Sequence, residues 1–297
     1  MENYNIWIPK EQPDILGKSE SFGNIEWTSE KIIANIYEVL RKKYPDYITR
    51  TFLGLDSSGK YEMYAYEFTP EKYSKTIYLQ AGVHCIETEG YFGLARIMTL
   101  IAEGYDRLKA LRENVRFLVV PCVSVYGISR KGSYTDIMSD GRYNILNNSL
   151  ALNPNRDFYQ LKLCETANIR KYVAEYAAET DLAFDFHTTT KPDWNAYLLP
   201  YPNGLKKEVR DKLIFVGKKL YEINRPKSPM GFVGQEKDYP TGEISGSFTG
   251  GLWEFYGIPG STIEHSDYIF SDSLGTSQAL TRAIELYANH ILCQTGY

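Results

Sequence analysis

The segment His84-Cys85-Ile86-Glu87 sets an imidazole and a carboxylate three residues apart, where an apolar run ends and a helical pattern begins. In an α/β protein that is the carboxyl edge of a strand, where such folds assemble their sites. H-x-x-E by itself is a frequent chance pattern, but the chain has only four histidines, and a second one, His187, closes another apolar run. Two imidazoles and one carboxylate form the donor set of a catalytic zinc site that keeps a position open for water. Asp185 lies two residues from His187 and so shares its strand face. It is either a hydrogen-bond partner behind the metal or a carboxylate capping a nearby backbone amide.

These residues need a frame, and the hydrophobic periodicity supplies one. Residues 28–44 carry Ile32, Ile36, Val39 and Leu40 at helical spacing, with Thr28 or Ser29 as the cap. Two strand-like stretches, 47–55 and 61–68, flank Asp56-Ser57-Ser58-Gly59 and read as a hairpin. The apolar runs 76–83 and 115–120 enclose a helical pattern from about 89 to 108, which is the signature of a β-α-β crossover. A helix over 164–179 precedes the strand 181–187, and Gly257-Ile258-Pro259-Gly260 introduces the strand 261–264. Further helices are expected over 205–224 and 277–293, with long loops at 127–155 and 226–251, and loops of that length are usually functional. The alternation specifies an α/β fold. No linker interrupts the composition, so one domain over residues 1–297 is expected.

Composition excludes several classes. The 297 residues are 43% hydrophobic and 24% charged, as in ordinary globular proteins. The net charge of −4 provides no basic field, so nucleic acid is not an expected partner. No stretch approaches the 18 or so apolar residues of a membrane span, and no membrane partner is expected. The first residues begin acidic without an apolar core, from which a cytoplasmic chain is expected. Cys85, Cys122, Cys164 and Cys293 are scattered, which reads as reduced thiols rather than a disulfide framework.

Four motifs follow one another in order: Ala81-Gly82-Val83-His84-Cys85-Ile86-Glu87, Asn155-Arg156-Asp157-Phe158, Phe186-His187, and Gly257-Ile258-Pro259-Gly260-Ser261-Thr262-Ile263-Glu264. Their order and spacing, spanning roughly residues 76–265, resemble the zinc carboxypeptidases of the carboxypeptidase A superfamily, metallopeptidase family M14. The resemblance implies an α/β/α sandwich around a mixed, mostly parallel sheet of about eight strands. It implies one Zn2+ per chain held by His84, Glu87 and His187, a substrate carboxylate bound by Asn155 and Arg156, and acid/base work by Glu264. The reaction implied is hydrolysis of an amide bond adjacent to a free carboxylate through a metal-activated water. The substrate would be a peptide or a peptide-like molecule. The chemistry agrees, since such a water needs a base that later returns the proton to the leaving amine. An arginine fork matches a carboxylate bidentately.

The chain also departs from the family. An oxyanion-supporting arginine is carried in the family on the loop before the Asn-Arg pair, where this chain has both Arg130 and Arg142. Arg142 is preferred because Arg142-Tyr143-Asn144 resembles the Arg-x-Asn found there. The family's lid tyrosine falls near Trp253, with Tyr256 too close to Gly257. Ser124-Val125-Tyr126-Gly127 replaces the common Asn-Pro-Asp-Gly turn, and small residues at 245–251 suggest a roomy pocket. Two alternatives stay open: an aspartoacylase-type N-acyl amino acid deacylase, whose first motif reads His-Gly-Asn-Glu, and a non-catalytic zinc-binding module. The oligomeric state is not specified by any of these features.

Overall fold

A computed structural model describes residues 28–85, 87–105, 108–129, 153–189, 196–198 and 247–266. The chain enters through one continuous helical segment, α1, made of Ser29–Ile32, a π-helical stretch Ile33–Tyr37, and Glu38–Lys43. The side chain of Thr28 caps it, accepting the Lys31 N–H at 3.3 Å. Ile32, Ile36, Tyr37 and Leu40 are buried, whereas Val39 is 47% exposed. A π turn is wider than an α turn and rotates the following residues. Tyr37 therefore occupies the inward position that uniform α-helical spacing assigns to Val39.

The remaining elements are β1 (Ile48–Leu55), β2 (Glu62–Phe68), β3 (Lys75–Ala81), α2 (Thr88–Ala102), α3 (Lys109–Asn114), β4 (Val115–Val120), α4 (Val125–Ser129), α5 (Cys164–Tyr176), β5 (Leu182–Thr189), β6 (Ala196–Leu198), α6 (Phe248–Tyr256) and β7 (Gly260–Ser266). The helix expected over 89–108 thus ends at Ala102, six residues early, and α3 is a separate helix beyond that range. Gly104, at φ +65°, ends α2, and the Tyr105 N–H donates back to the Leu100 carbonyl at 3.0 Å, which closes the helix as a Schellman cap. Residues 248–251, expected in a loop, are the start of α6, capped by the Ser247 hydroxyl. The helices expected at 205–224 and 277–293, and most of the two long loops, lie outside the described residues.

Among the described residues seven strands, where about eight were expected, form one mixed sheet in the order β1-β2-β4-β3-β5-β7-β6. The four central strands β4, β3, β5 and β7 run parallel, with β1–β2, β2–β4 and β6–β7 pairing antiparallel. β3 and β4 are buried along almost their whole length, which requires helices over both faces. One such layer includes α6, whose Phe248 stacks on Tyr78 of β3 at 5.7 Å, and α6 is tied to α5 by Tyr256 Oη, which donates to the Arg170 carbonyl. α2 packs against β3, β5 and the π-helical part of α1. This is the α/β/α sandwich anticipated from the motifs.

The topology locates the site. From β3 the chain crosses to β4 on one side, then returns past β3 to form β5 on the other. The order reverses between β3 and β5, and the crevice beyond the carboxyl ends of those two strands is where open α/β sheets bind ligands. His84 follows β3, and His187 lies in β5. Among the described residues no helix is long and apolar enough to cross a membrane. Cys85 and Cys122 are buried, Cys164 is exposed, and all three are free thiols.

Candidate metal centre

After Ala81, Gly82 turns the chain at φ +71°, a left-handed conformation that side chains disfavour. The turn is held from the side by the segment that continues beyond β4. The Val123 N–H donates to the Ala81 carbonyl at 3.1 Å, the Ser124 N–H to the Gly82 carbonyl at 2.8 Å, and the buried Ser124 hydroxyl to the Val83 carbonyl at 2.5 Å. Ser124, noted in the sequence only as a departure from the family turn, therefore fixes the backbone that delivers His84.

His84 Nδ1 lies 2.7 Å from Glu87 Oε1, and His187 Nδ1 lies 2.8 Å from Glu87 Oε2. The two imidazole rings are 4.9 Å apart, and the donor atoms of all three residues fall within 4.8 Å of one another. His187 is fully buried and Glu87 is 6% exposed. The structure thus assembles the three zinc ligands inferred from the sequence into one cluster.

The far nitrogen of each ring settles the tautomers. His84 Nε2 is 3.1 Å from Asn153 Oδ1, and that same oxygen accepts the Asn155 backbone N–H at 2.9 Å, so it is an acceptor. His84 Nε2 must therefore carry the proton, which leaves the lone pair on Nδ1. His187 Nε2 faces the Asp185 carboxylate at 2.8 Å and is a donor for the same reason. Of the two sequence readings of Asp185, the structure selects the partner behind the metal site. Asn153 was missed; its Asn-Pro dipeptide signals only a turn, and nothing local announces a contact with a residue 69 positions away.

The two imidazole nitrogens face two carboxylate oxygens at less than 3 Å, which requires positive charge between them, either protons on the facing nitrogens or a bound cation. Burial alone would raise the Glu87 carboxyl, but the imidazoles of His84 and His187 outweigh it and hold the group well below the usual carboxylate range. Burial opposes a charged His187, yet Asp185 and Glu87 together hold its imidazole well above the ordinary value. His187 Nδ1 is buried, with the Glu87 carboxylate as its neighbour. The same donors, two imidazole nitrogens and one carboxylate with the outer nitrogens hydrogen-bonded, could hold a metal ion and fit Zn2+.

The other candidates divide. Asn155 and Arg156 sit in a 3-10 turn, Pro154–Arg156, whose cap is Asn153, so the turn and His84 share one anchor. Arg156 Nη1 donates to the Asn155 carbonyl at 2.6 Å. The Asp157 carboxylate is engaged elsewhere: it accepts the Lys162 and Leu163 N–H groups at 3.0 and 2.9 Å and the Thr166 hydroxyl, which caps α5. The backbone of Glu264 pairs in register with that of His187 on the neighbouring strand. Trp253 is half-buried on α6, and among the described residues no hydrogen bond joins its side chain to the histidine-glutamate cluster. Arg130 and Arg142 lie outside the described residues.

Comparison with known proteins agrees with this centre. The sequence profile of the family described as zinc carboxypeptidase matches residues 33–195. No curated protein matches the chain by sequence. Among solved structures, the chain is similar to a metallo-carboxypeptidase from Burkholderia cenocepacia, with TM-score 0.68 and 16% identity over 89% of this chain and 70% of that one. It is also similar to bovine thrombin-activatable fibrinolysis inhibitor, in complex with tick carboxypeptidase inhibitor, with TM-score 0.66 and 16% identity over 90% and 98% of the respective chains. Carboxypeptidase A from Helicoverpa armigera gives TM-score 0.65 and 16% identity over 89% and 73%. At these identities the structural likeness establishes the fold.

Proposed function

Because the chain belongs to the zinc carboxypeptidase family and is a zinc hydrolase, we propose that it cleaves the amide bond next to the free carboxylate of a peptide or peptide-like substrate. The observation that carries the reading is the convergence of His84 Nδ1, His187 Nδ1 and both Glu87 oxygens at the carboxyl ends of β3 and β5, with both outer nitrogens held by Asn153 and Asp185. Zinc bound there supplies Lewis acidity to the scissile carbonyl and makes water a competent nucleophile at neutral pH.

The chain's own residues do the rest. Glu264, whose backbone runs beside that of His187, takes the proton of the attacking water and returns it to the leaving amine. Asn155 and Arg156, on the turn anchored through Asn153 to His84, hold the substrate's terminal carboxylate and set the distance from it to the scissile bond. Asn153 and Asp185 keep the two histidines in the tautomer that leaves Nδ1 unprotonated.

The test is a matched pair of peptides, one with a free C-terminus and one amidated, offered to the zinc-loaded protein beside a set of N-acyl amino acids. Strong preference for the free-acid peptide is expected. Arg156→Ala should cost about 2–5 kcal/mol of transition-state binding, on the order of 30- to 5,000-fold in kcat/KM, on the free acid alone. Equal loss on both peptides would make Arg156 a structural residue. Turnover of N-acyl amino acids without peptide cleavage would replace the peptidase reading with the deacylase one.

A further inference from the structure

The Phe248 backbone N–H, at the first position of α6, points to the side-chain amide of Asn155, 3.1 Å from Oδ1. A backbone N–H only donates, so the atom facing it must be the amide oxygen, and Nδ2 is left on the opposite branch. Among the described residues Nδ2 donates to no protein group. Every other polar atom of Asn155 is engaged: its N–H donates to Asn153 Oδ1 at 2.9 Å, and its carbonyl accepts Arg156 Nη1 at 2.6 Å.

We infer that the first turn of α6 is a specificity device: by holding Asn155 Oδ1, the Phe248 N–H fixes the amide with its donor end toward substrate, which makes the pocket beside Arg156 selective for a carboxylate. This rests on the reading of Asn155 and Arg156 as the substrate's carboxylate anchor. An asparagine amide that rotates by a half turn exchanges a donor for an acceptor, and an acceptor repels a carboxylate. Two features of α6 oppose that rotation. The Phe248 N–H is among the first N–H groups of a helix, which have no intrahelical acceptor, and the helix terminus carries partial positive charge that favours oxygen over NH2. Two of the N–H groups that follow have acceptors within the helix start, since the Ser247 hydroxyl accepts the Gly250 N–H at 3.2 Å and the Ser247 carbonyl accepts the Gly251 N–H at 2.9 Å.

The contact is rigidly backed. The Phe158 ring, two residues beyond Arg156, packs edge-on against Phe248 with centroids 4.8 Å apart. α6 and the segment carrying Asn155 are therefore joined both by this ring contact and by the Phe248–Asn155 hydrogen bond. Phe248 is a positioning residue: its amide acts on the substrate only through Asn155.

The local geometry offers a test that removes one hydrogen atom's worth of function. Proline is well tolerated at the first position of a helix, and Ser247, at φ −65° and ψ 158°, already has the extended conformation that proline demands of its predecessor. Phe248→Pro therefore deletes the N–H, while Phe248→Ala deletes the same ring and keeps it. Each variant is compared in zinc content, melting temperature and its kcat/KM ratio for the free-acid against the amidated peptide. Phe248→Pro should show a free-acid preference reduced about tenfold relative to Phe248→Ala, roughly the worth of one hydrogen bond to a charged group. Asn155→Asp, which still accepts the Phe248 N–H but has no donor to offer, should fold with an unchanged or raised melting temperature and lose the preference by about 10- to 100-fold.

Equal ratios in Phe248→Pro and Phe248→Ala, or a wild-type ratio in Asn155→Asp, overturn the inference while the carboxylate-anchor reading stands. Should Phe248→Pro not fold, the Asn155→Asp ratio decides. A wild type with no free-acid preference, or an Arg156→Ala ratio equal to wild type, is failure of the anchor reading itself, and the inference falls with it.

Discussion

Gly90 in the first turn of α2 rests on the backbone of Phe186 in β5: a Cβ at Gly90 would stand 2.7 Å from the Phe186 carbonyl oxygen and 3.2 Å from its carbon. Only a residue without a side chain lets α2 approach that closely, and the approach brings Glu87, which precedes the helix, within 2.8 Å of His187 in the strand. Backbone atoms cannot step aside. Gly90→Ala is expected to push α2 from β5 and weaken zinc binding by about 10- to 100-fold, the range seen when support behind metal ligands is lost. Competition with a chelator of known affinity measures it. Unchanged affinity would mean that Gly90 has no part in bringing Glu87 to His187.

The ligand set makes a direct prediction about metal content. Wild-type protein should carry one zinc per chain by elemental analysis, and His84→Ala/His187→Ala should carry almost none. Asp185→Asn can still accept from His187 Nε2 through its amide oxygen but removes the charge behind the ring, so zinc should remain with affinity lowered by about 10- to 100-fold. Full occupancy in the double mutant would rule these ligands out.

Binding and chemistry separate at Glu264. Glu264→Gln preserves shape but cannot accept a proton, so zinc content and melting temperature should match wild type while kcat falls by about 100- to 10,000-fold. Near wild-type turnover with stoichiometric zinc would transfer the role of base to another carboxylate, such as the exposed Glu254 on α6.

Gly251, near the start of α6, serves packing. A Cβ at Gly251 would stand 1.9 Å from Cδ1 of the buried Phe158 ring, a hard overlap. Gly251→Ala should destabilise the protein by about 1–3 kcal/mol, the usual cost of overpacking. The smaller ring-less partner in Gly251→Ala/Phe158→Leu should recover part of the loss, as read by denaturant unfolding. A neutral Gly251→Ala would show that α6 shifts freely against the turn carrying Asn155.

These contacts mark the boundary between what is written locally in the chain and what is not. The strand Val115–Val120 was legible to the residue, because a short valine-rich run is closed by Asn114 on one side and Pro121 on the other. His84, Glu87 and His187 were legible because histidine is scarce and both histidines stand at the ends of apolar runs. The start of α6 was not: Ser-Phe-Thr-Gly-Gly has poor helix propensity, and its glycines suggested a spacious pocket, whereas tertiary packing against Phe158 both demands the glycine and stabilises the helix. Residue type and periodicity determine which segments are strands and which side chains can bind a metal, since both are properties of neighbours along the chain. Which nitrogen of each histidine faces the metal, which role Asp185 takes, and which end of Asn155 is offered outward were decided only when residues 69 positions apart in His84 and Asn153, and 93 apart in Asn155 and Phe248, were brought into hydrogen-bonding distance. A hydrogen bond's direction depends on the partner it meets, and here the partner is supplied by the fold.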